Sequence, residues 1–225
     1  MTKQPDAVLF DLDGTLLDTA PDFHWVINQL LTEQDREPVS YAFLRTYVSN
    51  GARAMVCAAF DITTDHPDFK KLHQRMLDLY LGHLDVDTVP FTGVSDLLNW
   101  LERLEIPWGI ATNKPALYTL PVVTGLNLKA RAASIICPDH VTERKPHPES
   151  LQLACRQIGC EPQNTLYIGD HLRDIECGQR AGMVTIGACY GYIDANTNPR
   201  NWGADYYVSC ASEIKPLLQS IYPLK

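Results

Sequence analysis

Five residues, Asp11-Leu12-Asp13-Gly14-Thr15, put two carboxylates two positions apart directly after a short apolar run, Ala7-Val8-Leu9-Phe10. If that run is a strand, the acids leave its carboxyl end into a glycine turn and can both bear on one point, at the edge where open α/β sheets bind ligands. An acidic turn would look the same, because Asp and Gly favour turns on their own account. Three further groups separate these readings by where they fall. Thr112-Asn113 follows Trp108-Gly109-Ile110-Ala111, and Lys145-Pro146 follows Ser134-Ile135-Ile136-Cys137 after a short loop. Gly169-Asp170, with Asp174 four residues on, follows Leu166-Tyr167-Ile168. Singly these read as a helix cap, a surface lysine and a solvated first turn. Parallel strands, however, bring their carboxyl ends to one edge, so carboxylates, a hydroxyl and an ammonium would share a pocket. Such groups can attack an electrophile, exchange protons and hold charge.

The elements that must position them are legible as two kinds of segment. The apolar runs are unbroken rather than alternating, and Val184-Thr185-Ile186-Gly187 and Tyr206-Tyr207-Val208 add two more, which predicts strands covered on both faces. Between them Val94, Leu97, Leu98, Leu101 and Leu104 keep helical spacing, and Pro146 and Pro148 sit where a further helix can begin. From about residue 90 onward the pattern is β-α-β-α. From Leu17 to Val89 the periodicity is helical, with no convincing strand. Asp18 or Thr19 can cap a helix with Pro21 in its first turn and Phe23, Val26, Ile27, Leu30 and Leu31 on one face; Phe69, Leu72, Met76, Tyr80 and Leu84 form a second stripe. These stripes read as core packing. The block is too long to be a loop. The expected fold is therefore α/β, a Rossmann-like parallel sheet formed by residues 1–16 and 90–225, with an all-helical cap domain inserted at 17–89.

Composition bounds the partners. The 225 residues are 45% apolar and 20% charged, with 15 Pro and 13 Gly spread along the chain, which excludes long disorder and collagen-like repeats. Nineteen Lys+Arg against 27 Asp+Glu leave a net charge of -8, so neither nucleic acid nor a membrane is an expected partner. Seven scattered cysteines without a C-x-x-C pair predict reduced thiols rather than disulfides or a zinc site. The polar residues Met1 to Asp6 lack the layout of a signal peptide, and no apolar stretch reaches the ~18 residues of a membrane span, so a soluble cytoplasmic protein, monomer or homodimer, is expected.

The motifs DLDGT, ATN, RKP and GDHLRD stand in the order D-x-D-G-T, Ser/Thr, Lys, G-D-x-x-x-D, and the chain thereby resembles the haloacid dehalogenase superfamily of phosphohydrolases over nearly its whole length. The helical insert resembles the cap of that superfamily's phosphoglycolate phosphatase and β-phosphoglucomutase subgroup. The resemblance implies phosphoryl transfer in which Asp11 attacks a phosphate monoester and Asp13 first protonates the departing alkoxide, then deprotonates water. It also implies Mg²⁺, held by Asp11, Asp170 and the backbone carbonyl of Asp13 with Asp174 beside them, because carboxylates facing a phosphate need a hard cation between them. Lys145 and Thr112 would meet the phosphoryl oxygens. An acid at position 13, which dehalogenases attacking carbon lack, favours phosphorus as the target. His171 occupies a slot usually small or acidic and reads as a turn residue with a metal-side role as the alternative.

Substrate choice falls to the cap and the loops facing it. The expected contacts are Asn50, Arg53, Thr112, Asn113, Lys114 and Lys145, while Arg45 reads more simply as a solvated helix residue. Asn50-Gly51-Ala52-Arg53-Ala54-Met55-Val56, Cys137-Pro138-Asp139-His140-Val141, Tyr190-Gly191-Tyr192-Ile193 and Asn201-Trp202-Gly203-Ala204-Asp205 resemble the branch of N-acetylmuramic acid 6-phosphate phosphatases. The resemblance implies a small phosphorylated metabolite as partner, N-acetylmuramate 6-phosphate first and 2-phosphoglycolate second. A phosphomutase and a non-catalytic binding protein on the same fold are the further alternatives.

Overall fold

In the computed structural model, which describes residues 4–222, the first apolar run is β1 (Ala7–Phe10) and every one of its residues is buried. The first three residues of the polar Met1–Asp6 lead lie outside the described residues. After β1 the chain forms β2 (Leu17–Asp18), then four helices, α1 (Ala20–Thr32), α2 (Tyr41–Arg45), α3 (Gly51–Phe60) and α4 (Phe69–Leu81), and returns through β3 (Val89–Pro90). The remainder alternates: α5 (Val94–Arg103), β4 (Trp108–Ala111), α6 (Ala116–Gly125), β5 (Ser134–Ile136), α7 (Glu149–Ile158), β6 (Thr165–Gly169), α8 (Leu172–Ala181), β7 (Val184–Ala188), β8 (Tyr206–Val208) and α9 (Ile214–Ile221).

The sheet runs β5-β4-β1-β6-β7-β8, parallel throughout, with β1 at its centre between β4 and β6. Both faces are covered. Val8 and Phe10 face one apolar cluster with Leu97, Leu101, Val122 and Leu218, while Leu9 faces another with Leu151, Ala154 and Cys177. Unbroken apolar runs are what a two-sided burial requires. Strands β5, β6 and β7 differ from expectation by a residue at one end; β5 stops at Ile136 because Cys137 opens the short turn Pro138–His140.

The helices between β2 and β3 bury a third cluster, with Phe23, Ile27, Leu30, Leu44, Val56, Met76 and Tyr80 on their inner faces. Leu84, expected on the last stripe, lies beyond the end of α4. The expectation of no strand between Leu17 and Val89 is corrected: Leu17 pairs with Pro90 and Asp18 with Val89 in an antiparallel ribbon. Two residues per strand carry no periodicity, and Pro90 argues against a strand. The helix start also differs in detail. Thr19 is the N-cap of α1, yet its hydroxyl makes no cap bond and donates instead to Asp13 Oδ1 at 2.7 Å.

Asp22, fully buried in the first turn of α1, ties that helix to the returning chain. Its carboxylate accepts from the backbone N–H groups of Asp87 (2.8 Å) and Thr88 (3.1 Å) and from Thr88 Oγ1 (2.5 Å). Asp22→Ala strands three donors beside the ribbon and is expected to cost about 2–4 kcal/mol, with Asp22→Asn costing less. Denaturant unfolding checks this; a loss below about 0.5 kcal/mol for the alanine variant contradicts the tie.

Candidate active site

The sheet edge after β1, β4 and β6 collects the motif residues as parallel strands require. Asp11 continues the ladder by one bond, its N–H donating to Ile168 O at 2.8 Å, before the chain turns at Gly14. Gly14 sits at φ +84°, and a Cβ there would lie 2.1 Å from Asp170 Oδ2. A Cβ on Gly191 would lie 2.2 Å from Asp170 Cβ. Both glycines let backbone close around Asp170, which follows β6 directly. Asp174 stands in the first turn of α8, where its Oδ2 accepts the His171 N–H at 3.1 Å and the helix dipole favours an acid.

Asp11, Asp170 and Asp174 each offer an oxygen within 4.8 Å of the others. One ammonium answers them: Lys145 Nζ is 2.8 Å from Asp11 Oδ1 and 2.7 Å from Asp174 Oδ1, and it also donates to Ala111 O and to the Tyr167 hydroxyl. The balance shows in the acids. Burial first, with Asp174 adding repulsion against the pull of Lys145, raises Asp11 from 3.8 to about 6. Burial and then the charges of Asp11 and Asp174 raise Asp170 to about 7, despite hydrogen bonds to its Oδ2 from Tyr192 N and Ser49 Oγ, each 2.8 Å. Burial pulls Lys145 down, but Asp11 and Asp174 outweigh it and hold the ammonium above its ordinary value. Of the three clustered carboxylates Lys145 pairs with Asp11 and Asp174 and leaves Asp170 without a cationic partner, an arrangement suited to one more hard cation.

Asp13 is held apart from this set. Its Oδ1 accepts from Thr19 Oγ1 and from Lys114 Nζ at 2.8 Å, and Lys114 in turn donates to the Tyr80 hydroxyl of α4 at 2.5 Å. Lys114, expected as a substrate contact, lines the cavity with its side chain engaged by an acid. Thr112 Oγ1 accepts the Lys114 N–H at 3.1 Å. Asn113 locks two motifs together: its amide donates to Lys145 O and accepts from Lys145 N, both at 3.2 Å.

A cavity of about 420 Å³ opens over Asp11 and Asp13. Thr112, Asn113 and Lys114 line it from the sheet side, and Asn50, Arg53, His73 and Tyr80 from the helical side. Lys145, Asp170 and Asp174 lie behind Asp11 and off the cavity wall. Asn50 lines the wall while its amide donates to Asp194 Oδ1 at 2.8 Å. Arg45 is neither a solvated residue nor a wall residue. Its guanidinium donates to Tyr190 O and Gly191 O, both at 2.8 Å, and lies 5.0 Å over the Tyr192 ring. His171 caps α8, its Nδ1 accepting the Arg173 N–H at 3.2 Å, and burial followed by the Arg173 charge lowers its pKa.

The reading from sequence missed four residues that hold the site. Tyr167 donates to Ala111 O (2.9 Å) and Asp174 Oδ1 (3.2 Å) from inside an apolar run, where a lone hydroxyl was the only signal. The Tyr192 hydroxyl accepts the N–H groups of Thr19 and Ala20 and donates to Asp18 Oδ1. Ser49 reaches Asp170, and Arg173 donates to the Ser49 carbonyl. Apart from Asp174, seven positions from Tyr167, none of these partners is near in sequence.

Among proteins of known sequence, the chain is 45% identical to an N-acetylmuramic acid 6-phosphate phosphatase of Pseudomonas aeruginosa, over 94% of each chain. It is 38% identical to a phosphoglycolate phosphatase of Xylella fastidiosa, over 91% of this chain and 89% of that one. The fold matches the crystal structure of a predicted phosphoglycolate phosphatase from Haemophilus somnus with a TM-score of 0.83 at 24% identity, covering 96% of this chain and 98% of the other. The family model for haloacid dehalogenase-like hydrolases spans residues 8–188, from the first buried strand to the end of β7. With the ordered acids on one sheet edge, that span means the chain belongs to the haloacid dehalogenase-like hydrolase family.

Proposed function

We propose that the chain is a Mg²⁺-dependent phosphomonoesterase that hydrolyses N-acetylmuramate 6-phosphate through an aspartyl phosphate on Asp11. The observation that carries the reaction is the cluster of Asp11, Asp170 and Asp174, two of them paired with the one ammonium of Lys145, at the floor of the cavity. The substrate is supported by the 45% identity to the Pseudomonas aeruginosa enzyme. The cavity supports it too: about 420 Å³ falls in the range of sites for ligands larger than a two-carbon acid. Hydrolysis of 2-phosphoglycolate, supported by the 38% identity to the Xylella fastidiosa protein, is the second reading.

The donor set fits the ion. Asp11, Asp170 and Asp174 offer hard oxygens close together, and Asp11 Oδ1 is a buried oxygen without an aligned hydrogen-bond donor. Bound there, Mg²⁺ supplies positive charge that offsets the clustered acids and the phosphoryl oxygens. In the first step a carboxylate oxygen of Asp11 attacks phosphorus, the ester P–O bond breaks, and Asp13 gives its proton to the departing alkoxide. In the second, Asp13 takes a proton from water, whose oxygen attacks phosphorus and expels the Asp11 carboxylate. Lys145 holds Asp11 in place from behind, and Thr112 with the neighbouring backbone N–H groups receives phosphoryl oxygens. Residues 17–89 act as a cap on the core of 1–16 and 90–225. We place this reaction in the cytoplasm, which the seven free cysteines suit; among the described residues no helix is long and apolar enough to cross a membrane.

Phosphate release with Mg²⁺ over N-acetylmuramate 6-phosphate, 2-phosphoglycolate and hexose phosphates tests both parts. Asp11→Asn is expected to reduce turnover by at least about 10³-fold. Undiminished turnover would sink the mechanism, and preference for phosphoglycolate would move the assignment to the second reading.

The raised acids also predict a pH-dependent response to the ion. Asp11 and Asp170 hold protons more tightly folded than unfolded, so their contribution to stability is present below 3.8 and is lost as pH rises through about 6 and 7. Mg²⁺ binds the deprotonated pair and restores that stability. The rise in Tm on adding Mg²⁺ is expected to be larger at pH 8 than at pH 5, and to shrink in Asp170→Asn. An equal rise at both pH values contradicts the assignment of these ligands.

A further inference from the structure

Most cations around the cavity are already committed. Lys114 is paired with Asp13, Lys145 with Asp11 and Asp174, and Arg173 donates to the Ser49 carbonyl. Two wall residues differ. Among the described residues neither Arg53 nor Arg144 has a side-chain hydrogen bond or an ion pair, in a chain where 27 acids outnumber 19 Lys+Arg. Their positions separate them. Arg144 precedes Lys145 on the sheet side, next to the reacting groups, whereas Arg53 is on α3, where the part of a substrate remote from phosphorus must lie. Arg53 is not there to stabilise its helix, because a cation in the first turn opposes the helix dipole. Its neighbour His73, also on the wall, is held below its ordinary pKa by burial and then by the Arg53 charge, so the exposed guanidinium is the permanent positive charge on that side.

A guanidinium without a protein acid is a fork for a planar anion. The two substrates named by the relatives, N-acetylmuramic acid 6-phosphate and phosphoglycolate, differ in size and scaffold but share one feature beyond the phosphate, a carboxylate. We propose that Arg53 is the specificity residue that receives this carboxylate, so that the substrate class is the phosphate monoester of a carboxylic acid. The assignment rests on the phosphatase reading above and adds to it the group by which the site recognises its substrate. Aliphatic and aromatic side chains, among them Val48, Leu77 and Tyr118, also line the cavity and suit a sugar ring or a short carbon chain.

N-acetylglucosamine 6-phosphate tests this, since it has the same ester and acetamido sugar as N-acetylmuramate 6-phosphate but lacks the lactyl carboxylate. The parent enzyme with Mg²⁺ is expected to prefer the acid, and Arg53→Met to reduce that preference, as a ratio of kcat/KM, roughly 10- to 100-fold. Arg53→Lys, which keeps the charge and loses the fork, recovers part of it. The pair 2-phosphoglycolate and 2-hydroxyethyl phosphate applies the same comparison to the smaller substrate. A ratio unchanged in Arg53→Met, or altered instead by Arg144→Met, overturns the assignment while leaving the phosphatase reading intact. Calorimetry on Asp11→Asn separates the opposite failure: discrimination of the pair through Arg53, with no turnover by the parent, would uphold the carboxylate site and remove the proposed reaction.

Discussion

Like charges held largely out of water repel strongly, and this chain sets three carboxylates within a few ångströms at its sheet edge. Much of the surrounding structure answers that repulsion. Lys145, itself buried, spans Asp11 and Asp174, and removing either side of such a pair typically costs about 3–5 kcal/mol because a bare charge remains. Tyr167 and Ala111 O fix the ammonium from below. Asp174 takes the N-terminus of α8, and Asp170 takes two donors on one oxygen. Gly14 and Gly191 are needed because the acids leave no room for a Cβ. The sheet is the frame that allows this concentration, since parallel strands end together and their helices begin there.

The helical segment takes part in the same electrostatics. Ser49 donates to Asp170, and Tyr80 binds the lysine that pairs with Asp13. A displacement of the helices would therefore change the partners of Asp170 and of Lys114 as well as the shape of the cavity. Arg45 and Tyr192 work at the rim of this contact, where two charge-assisted bonds to backbone carbonyls hold the loop after β7 against α2.

What could be read in the sequence follows from how far apart the informative residues are. The sheet was legible because each buried strand is a local apolar run, and the acids were legible because each motif follows its strand immediately. The ribbon β2–β3 was not, since two residues per strand leave no pattern and their partners are about seventy positions apart. Arg45 was unreadable for the same reason: its carbonyl acceptors lie 145 and 146 residues away. Tyr167 was hidden differently. An apolar run is scored by its carbon, and nothing local reveals where one hydroxyl points.

The ribbon also says something about how such a chain can vary. Leu17 and Pro90 are bonded neighbours, so the four intervening helices enter and leave the core at one place. Ends held this close add little closure entropy when the inserted length changes. The helical segment can therefore be lengthened, shortened or exchanged with the six strands left in register. Ser49 and Tyr80 are the conditions on such an exchange, because they touch Asp170 and Lys114 directly. A replacement that supplies a hydroxyl at each of those two points inherits Asp170 and Lys114 in place and is free to reshape the rest of the wall.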